Sequence, residues 1–129
     1  MSKLILIFLG SGIGGVARYS LSGWVQHCST PLFPTGTLVV NVIGCLLIGF
    51  LGALFASASG SSIKEEYRVA IVIGILGGFT TFSAFGKETV ALAADRHLAQ
   101  ASLNVVLSVV LGLGAVWLGA RIAKGAYGA

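Results

Sequence analysis

A handful of polar and backbone-breaking residues stand out in this sequence because nearly everything around them is apolar. The densest group is Gly77-Gly78-Phe79-Thr80-Thr81-Phe82-Ser83-Ala84-Phe85. Adjacent glycines make a poor helix interior, each costing about 1 kcal/mol against alanine. The hydroxyls of Thr80, Thr81 and Ser83 follow at once. A helix that breaks here frees backbone carbonyls and amides, and freed carbonyls are natural ligands for a hard cation such as Na⁺. A kink patched by serine and threonine, with no ion, accounts for the same residues. Phe82 and Phe85 are three apart and share a face if the helix resumes. Such pairs usually pack in a core. A phenyl ring also has a positive edge, which attracts an anion where hydrogen-bond donors lie close by.

Further polar residues sit inside other apolar runs. Asn41 lies in Thr37-Leu38-Val39-Val40-Asn41-Val42-Ile43-Gly44, with Thr37 on the same helix face. Its amide serves either as an interhelical bond or as a donor facing a pore. Arg18 either snorkels to the headgroups or gathers anions at a pore mouth. Asn104 and Ser108, four apart, form a polar stripe that suits helix glue and pore lining equally. Glu88 is the only carboxylate well inside the apolar pattern.

These residues must be positioned by membrane-spanning helices. Of the 129 residues, 56% are hydrophobic and 9% charged, and the mean hydropathy is +0.97. A soluble domain carries about 25% charged residues, so the charges here are too few to cover a wet surface. Four apolar runs approach the ~20 residues that cross a bilayer. They cover residues 4–24, 36–56, 67–94 and 98–122. Pro31 and Pro34 separate the first two, the polar stretch from Ser57 to Glu66 closes the second, and Asp95-Arg96-His97 turns the chain before the last. The first run follows Lys3 as in a signal peptide but continues to Trp24 without a clear cleavage site, so it is expected to remain as a helix. The expected fold is all-α in one domain, residues 1–129, with the third helix broken at mid-membrane.

Lys3, Lys64, Arg68, Arg121 and Lys124 fall on one side of this arrangement, and Arg96, with Lys87 and Arg18, on the other. That modest bias favours cytoplasmic termini and leaves room for insertion in both orientations. Glycines at four-residue spacing, such as Gly10 and Gly14, let helices approach closely. Four short helices enclose little volume, which points to a pathway between subunits. No basic run suggests nucleic acid. Cys28 and Cys45 show neither a disulfide framework nor metal spacing.

Three stretches carry a resemblance to a known family. Gly14-Gly15-Val16-Ala17-Arg18-Tyr19 is similar to its glycine-to-arginine-aromatic pattern, Gly36 to Gly44 to its GTLxxNxxG, and Gly77 to Phe85 to its GGxTTFSTF. In these motifs, in this order on four spans, the chain resembles the Fluc (CrcB) fluoride channels over nearly its whole length. The resemblance implies an antiparallel, dual-topology homodimer with two fluoride pores in the bacterial inner membrane. It implies that Phe82 and Phe85 line the ion path with ring edges and that Asn41 donates to fluoride. Ser83, Thr37, Asn104 and Ser108 complete the implied pore, and Arg18 stands in the vestibule. The carbonyls of Gly77 and Thr80 would hold a central structural Na⁺ shared by both subunits. The chain departs from the family at Ala84, where many members have threonine, and at Gly86-Lys87. It also departs at Asn104 and Gly112, where some members place tyrosine and serine.

The implied role is passive fluoride efflux that relieves toxicity, with no enzymatic step. The main rival is a small proton-coupled multidrug exporter, which needs a membrane-embedded carboxylate. Glu88 is the sole candidate. A non-transporting assembly subunit would explain the glycines but not the donors around the break.

Overall fold

The computed structural model describes residues 2–57 and 62–127; the middle of the polar stretch after the second span, 58–61, lies outside them, as do residues 1, 128 and 129. All regular structure among the described residues is helical. The elements are α1 (Ser2–His27), α2 (Thr35–Ala56), α3 (Glu65–Val69), a π-helical stretch (Ala70–Leu76), the single turn α4 (Gly77–Phe79), α5 (Phe82–Ala94) and α6 (Leu98–Tyr127). From α3 to α5 the chain makes one candidate crossing, Glu65–Ala94, so four helices are long and apolar enough to span a membrane. No more than 28% of the most apolar window of any crossing is buried within the chain. Leu4, Phe8, Val16 and Trp117 are among the large apolar side chains left exposed. A chain that turns its apolar groups outward is built for a solvent as apolar as itself.

The turn from α1 to α2 is organised by one side chain. Gln26 donates from Nε2 to the carbonyls of Thr30 and Phe33, both at 3.0 Å, and accepts from the Gly36 amide at 3.1 Å. That last bond satisfies an orphan amide at the start of α2, where no capping side chain is present. The turn from α5 to α6 places Arg96 at φ 63°. The His97 amide reaches back to the Leu92 carbonyl at 2.8 Å, the six-to-one closure that ends many helices.

Two glycine interlocks set the packing. A Cβ on Gly10 would meet the Ala70 carbonyl at 2.9 Å, one on Gly78 the Ser11 carbonyl at 2.5 Å, and one on Gly14 would run into the Ile75 carbonyl. α1 and the third crossing therefore touch backbone to backbone. Gly49 and Gly119 do the same for α2 and α6, against Val116 and Leu46. The π-helical stretch is the one feature that the apolar run Ala70-Ile71-Val72-Ile73-Gly74-Ile75-Leu76 does not announce. Its wider turns rotate the residues that follow relative to those before, and they carry Gly74 and Gly78 onto α1. Lys3 and Glu65 pair at 3.0 Å. Arg68 lies 5.5 Å from the Phe55 ring and Arg121 5.6 Å from the Trp117 ring. The first two contacts bring the start of α1 and of α3, and the end of α2, to one end of the molecule. They add little stability, since exposed pairs contribute about 0–1 kcal/mol.

Candidate functional site

Between α4 and α5 the backbone leaves the helix for two residues. Thr80 is extended at φ −89°, ψ 158°, and Thr81 at φ −151°, ψ 112°. Thr81 is buried, so its backbone needs partners. Asn41 supplies both. Its Oδ1 accepts from the Thr81 amide at 2.8 Å, and its Nδ2 donates to the Thr81 carbonyl at 3.0 Å. One side-chain amide thus pairs with the extended residue as a neighbouring strand would. A second N–H on Nδ2 remains.

The same bonds rearrange the carbonyls nearby. In a continuous helix the Thr81 amide would bond the Gly77 carbonyl. It goes to Asn41 instead, and the Thr80 amide goes to the Leu76 carbonyl at 3.0 Å. The Ala84 amide, the helical partner of the Thr80 carbonyl, is taken by the Thr81 hydroxyl at 3.2 Å. That hydroxyl caps α5 and stands 3.2 Å from the Ser83 hydroxyl. The Gly77 and Thr80 carbonyls are thereby released from their helical partners, the condition a hard cation requires of its oxygen ligands.

A cavity of about 390 Å³ opens beside this pair. Asn41, Gly77, Thr80, Thr81, Phe82, Phe85 and Ser108 line it, with Gly44, Cys45 and aliphatic side chains. Among the described residues, no charged side chain lines it. The Phe82 and Phe85 ring centroids are 5.3 Å apart with planes tilted by 44°. Phe82 is 82% exposed and Gly77 is exposed too, so the cavity meets the surface of the chain. Thr80 donates its hydroxyl proton to the Leu76 carbonyl at 3.0 Å. Among the described lining residues, the side-chain donors left to the cavity include the second Asn41 N–H and the hydroxyl of Ser108, with the weaker Cys45 thiol beside them.

Thr37 and Arg18 line a separate cavity of about 260 Å³ with Tyr19, Ser22, Thr81 and Glu88. Thr37 donates to Glu88 Oε1 at 2.7 Å. Glu88 Oε2 is buried without a hydrogen-bond partner among the described residues. Arg18 makes no ion pair there with a described residue. Thr81 lines both cavities, so the two are separated by little more than the extended pair.

Asn104 lines neither cavity. It is 2% exposed, and its Nδ2 donates to Thr89 Oγ1 at 2.9 Å. Ser108, one turn further along α6, does reach the larger cavity. The polar stripe on α6 therefore divides, one residue facing α5 and the other the cavity. Ser83 is exposed and does not line the cavity, but its hydroxyl stands beside that of Thr81, which does. Sequence reasoning passed over Thr89, and it named Gly44 only as the last glycine of the GTLxxNxxG-like stretch, with no role. Gly44 is set against the Thr80 Cγ2 methyl, where an added Cβ would collide. Thr89 stands four residues after Phe85, the spacing of a hydroxyl that bonds a carbonyl one turn back.

Four apolar crossings, three of which line a small aromatic and hydroxyl-bearing cavity, define a multi-pass membrane protein. Residues 5–120 match the family described as CrcB-like protein, Camphor Resistance (CrcB), and the chain belongs to that family. It is 45% identical over 125 residues to a protein of Methylobacillus flagellatus, covering 96% of each chain. It is 44% identical over 122 residues to one of Coxiella burnetii (strain Dugway 5J108-111), covering 95% of this chain and 98% of that one. With a protein of Methanosarcina acetivorans it shares 43% over 119 residues, or 92% and 88% of the two chains. The first two relatives bear the name Fluoride-specific ion channel FluC and the third Fluoride-specific ion channel FluC 1.

Proposed function

We propose that this protein is a fluoride-selective passive channel of the bacterial inner membrane, through which cytoplasmic fluoride leaves down its gradient. The observation that carries the reading is the 390 Å³ cavity that gathers Asn41, Phe82, Phe85 and Ser108. Fluoride is small and strongly hydrated. A pore must replace its water shell with donors, yet bind weakly enough to release the ion. The second Asn41 N–H and the Ser108 hydroxyl act as donors, and the ring edges of Phe82 and Phe85 add positive partial charge. Arg18 draws anions to the smaller cavity, with Thr37 beside it and Ser83 at the edge of the larger one.

The working unit is an antiparallel, dual-topology homodimer with two pores. The exposure of Phe82 and Gly77, both at the cavity, supports it, because a second copy would close a mouth that otherwise opens on lipid. The extended pair lies at mid-membrane in this reading and is the break in the third helix. The released carbonyls of Gly77 and Thr80 fit a central structural Na⁺, which would supply a fixed positive charge when bound. The proton-coupled exporter would need Glu88 free to trade protons with substrate. Its Oε1 is instead bound to Thr37 at 2.7 Å, outside the larger cavity.

The test is fluoride efflux from liposomes that hold the purified protein. Phe82→Ile and Phe85→Ile are expected to slow fluoride by at least about tenfold, a barrier change of ~1.4 kcal/mol, while the dimer stays folded. Unchanged flux in both would return these rings to a packing role. For the cation, water between the paired Gly77 and Thr80 carbonyls in a crystal structure of the dimer would remove it.

A further inference from the structure

The amide of Asn104 is buried and does not line the larger cavity, yet a chain of hydrogen bonds joins it to a residue that does. Asn104 Nδ2 donates to Thr89 Oγ1 at 2.9 Å, and Thr89 Oγ1 donates to the Phe85 carbonyl at 2.7 Å. The direction of both bonds follows from chemistry. A carbonyl only accepts, so the single hydroxyl proton of Thr89 goes to Phe85. The Thr89 oxygen is then left to accept, and only the NH₂ side of the Asn104 amide can donate to it. Bonds aligned head to tail polarise one another. They run from α6 through α5 to the backbone of a residue that lines the 390 Å³ cavity.

This turn of α5 has reason to be tethered. Gly86 follows Phe85, and a Cβ there would meet nothing within 4 Å. Glycine is the freest residue in a helix interior, and no packing restrains it here. α6 packs chiefly on α2 and far less on α5. The Asn104 bond is the one side-chain hydrogen bond between α6 and α5 among the described residues. Were Asn104 only a filler of the interface, an apolar residue of similar volume would serve as well.

We propose that Asn104 is a positioning residue for the Phe85 ring, acting through Thr89, and not a donor to the transported ion. The proposal rests on the reading that Phe85 flanks the ion path. Asn104 fixes the rotation of the Phe85–Thr89 turn against α6. It thereby sets the 5.3 Å separation and 44° tilt of the Phe82–Phe85 pair.

The experiment follows 4-fluorophenylalanine placed at Phe85 or, as a control, at Phe50, whose ring stands edge-on to Tyr127. Fluorine NMR is recorded on the purified full-length protein, and fluoride efflux is measured on liposomes in parallel. Asn104→Leu and Thr89→Val are expected to shift or split the Phe85 resonance and leave that of Phe50 in place. Thr89→Ser, which keeps the hydroxyl, is expected to restore the single resonance. Flux is expected to fall about tenfold in Asn104→Leu, or ~1.4 kcal/mol. It should fall no further when Asn104→Leu is added to Phe85→Ile. A Phe85 resonance unmoved by Asn104→Leu overturns the proposal, as does an equal shift at Phe50. A flux loss that multiplies on the Phe85→Ile background makes Asn104 a donor to the ion and overturns it too. If the parent protein carries no fluoride, the pore reading fails alone, and the resonances still decide whether Asn104 holds the ring.

Discussion

The two halves of the third crossing are held in place by opposite means. Up to Phe79, the chain lies against α1 through glycines, backbone on backbone. From Thr81 onward, the chain is held by side chains of three residues on other helices: Asn41, bonded twice to Thr81, Thr37 to Glu88 and Asn104 to Thr89. The first kind of contact is steric and leaves no room to move. The second is directional, and it specifies orientation where packing is thin. The extended pair sits at the join, so a rigid half anchors one side of the cavity and a half steered by hydrogen bonds forms the other.

That contrast predicts two different kinds of damage. The largest effect is expected from Gly14→Ala, whose methyl runs into the Ile75 carbonyl. A backbone oxygen cannot rotate aside, so the cost is expected at the upper end of the ~1–3 kcal/mol typical of overpacking. Loss of the folded protein on size-exclusion chromatography is expected. The neighbouring Gly15→Ala meets nothing within 4 Å and should stay within about 0.5 kcal/mol of the parent in thermal stability. Equal behaviour of the two would dissolve the distinction between the halves.

Next in size is Asn41→Ala. It strips both partners from the buried backbone of Thr81, and unsatisfied buried groups cost about 1–3 kcal/mol each. Fluoride flux should fall to background while some folded protein persists, because the glycine interlock is untouched. Asn41→Asp keeps the acceptor for the Thr81 amide but sets a carboxylate oxygen against the Thr81 carbonyl. It is expected to be as inactive as the alanine variant. A flux above one-tenth of the parent in either variant would mean that the extended pair holds its shape without this amide.

The smallest effect is expected from Thr37→Val. It removes the one hydrogen bond to Glu88 and leaves the carboxyl without a partner among the described residues. A loss of about 1 kcal/mol follows, read as a lower melting temperature, and Thr37→Ser should recover it. If Glu88 stays in place with the valine, Thr37→Val and Thr37→Ser will melt alike.

What the sequence made legible divides along the same line. The four apolar crossings could be read directly, since charge is scarce and apolar runs are long. Gly77-Gly78 and the hydroxyls after them drew attention to the stretch that holds the extended residues Thr80 and Thr81. Gly10 and Gly14 announced a close helix contact through their spacing alone. The π-helical stretch was not legible, because Ala70 to Leu76 reads as ordinary apolar helix and its register depends on the fit to α1. The side-chain bonds were also out of reach. Asn41, Asn104 and Thr37 were visible as polar residues that need partners. Which partner each takes depends on how three separate helices rotate about their axes. Asn104 and Ser108 share a stripe in the sequence, and only the packing of α6 between α2 and α5 turns one inward and the other to the cavity.

The central claim is that this cavity passes fluoride and refuses larger halides. Its most direct test is passive efflux from liposomes loaded in turn with fluoride and chloride, with the counter-ion shunted so that charge does not build up. The account predicts rapid fluoride release and chloride release near that of protein-free liposomes. Equal rates for the two ions, or no release of fluoride, would contradict it.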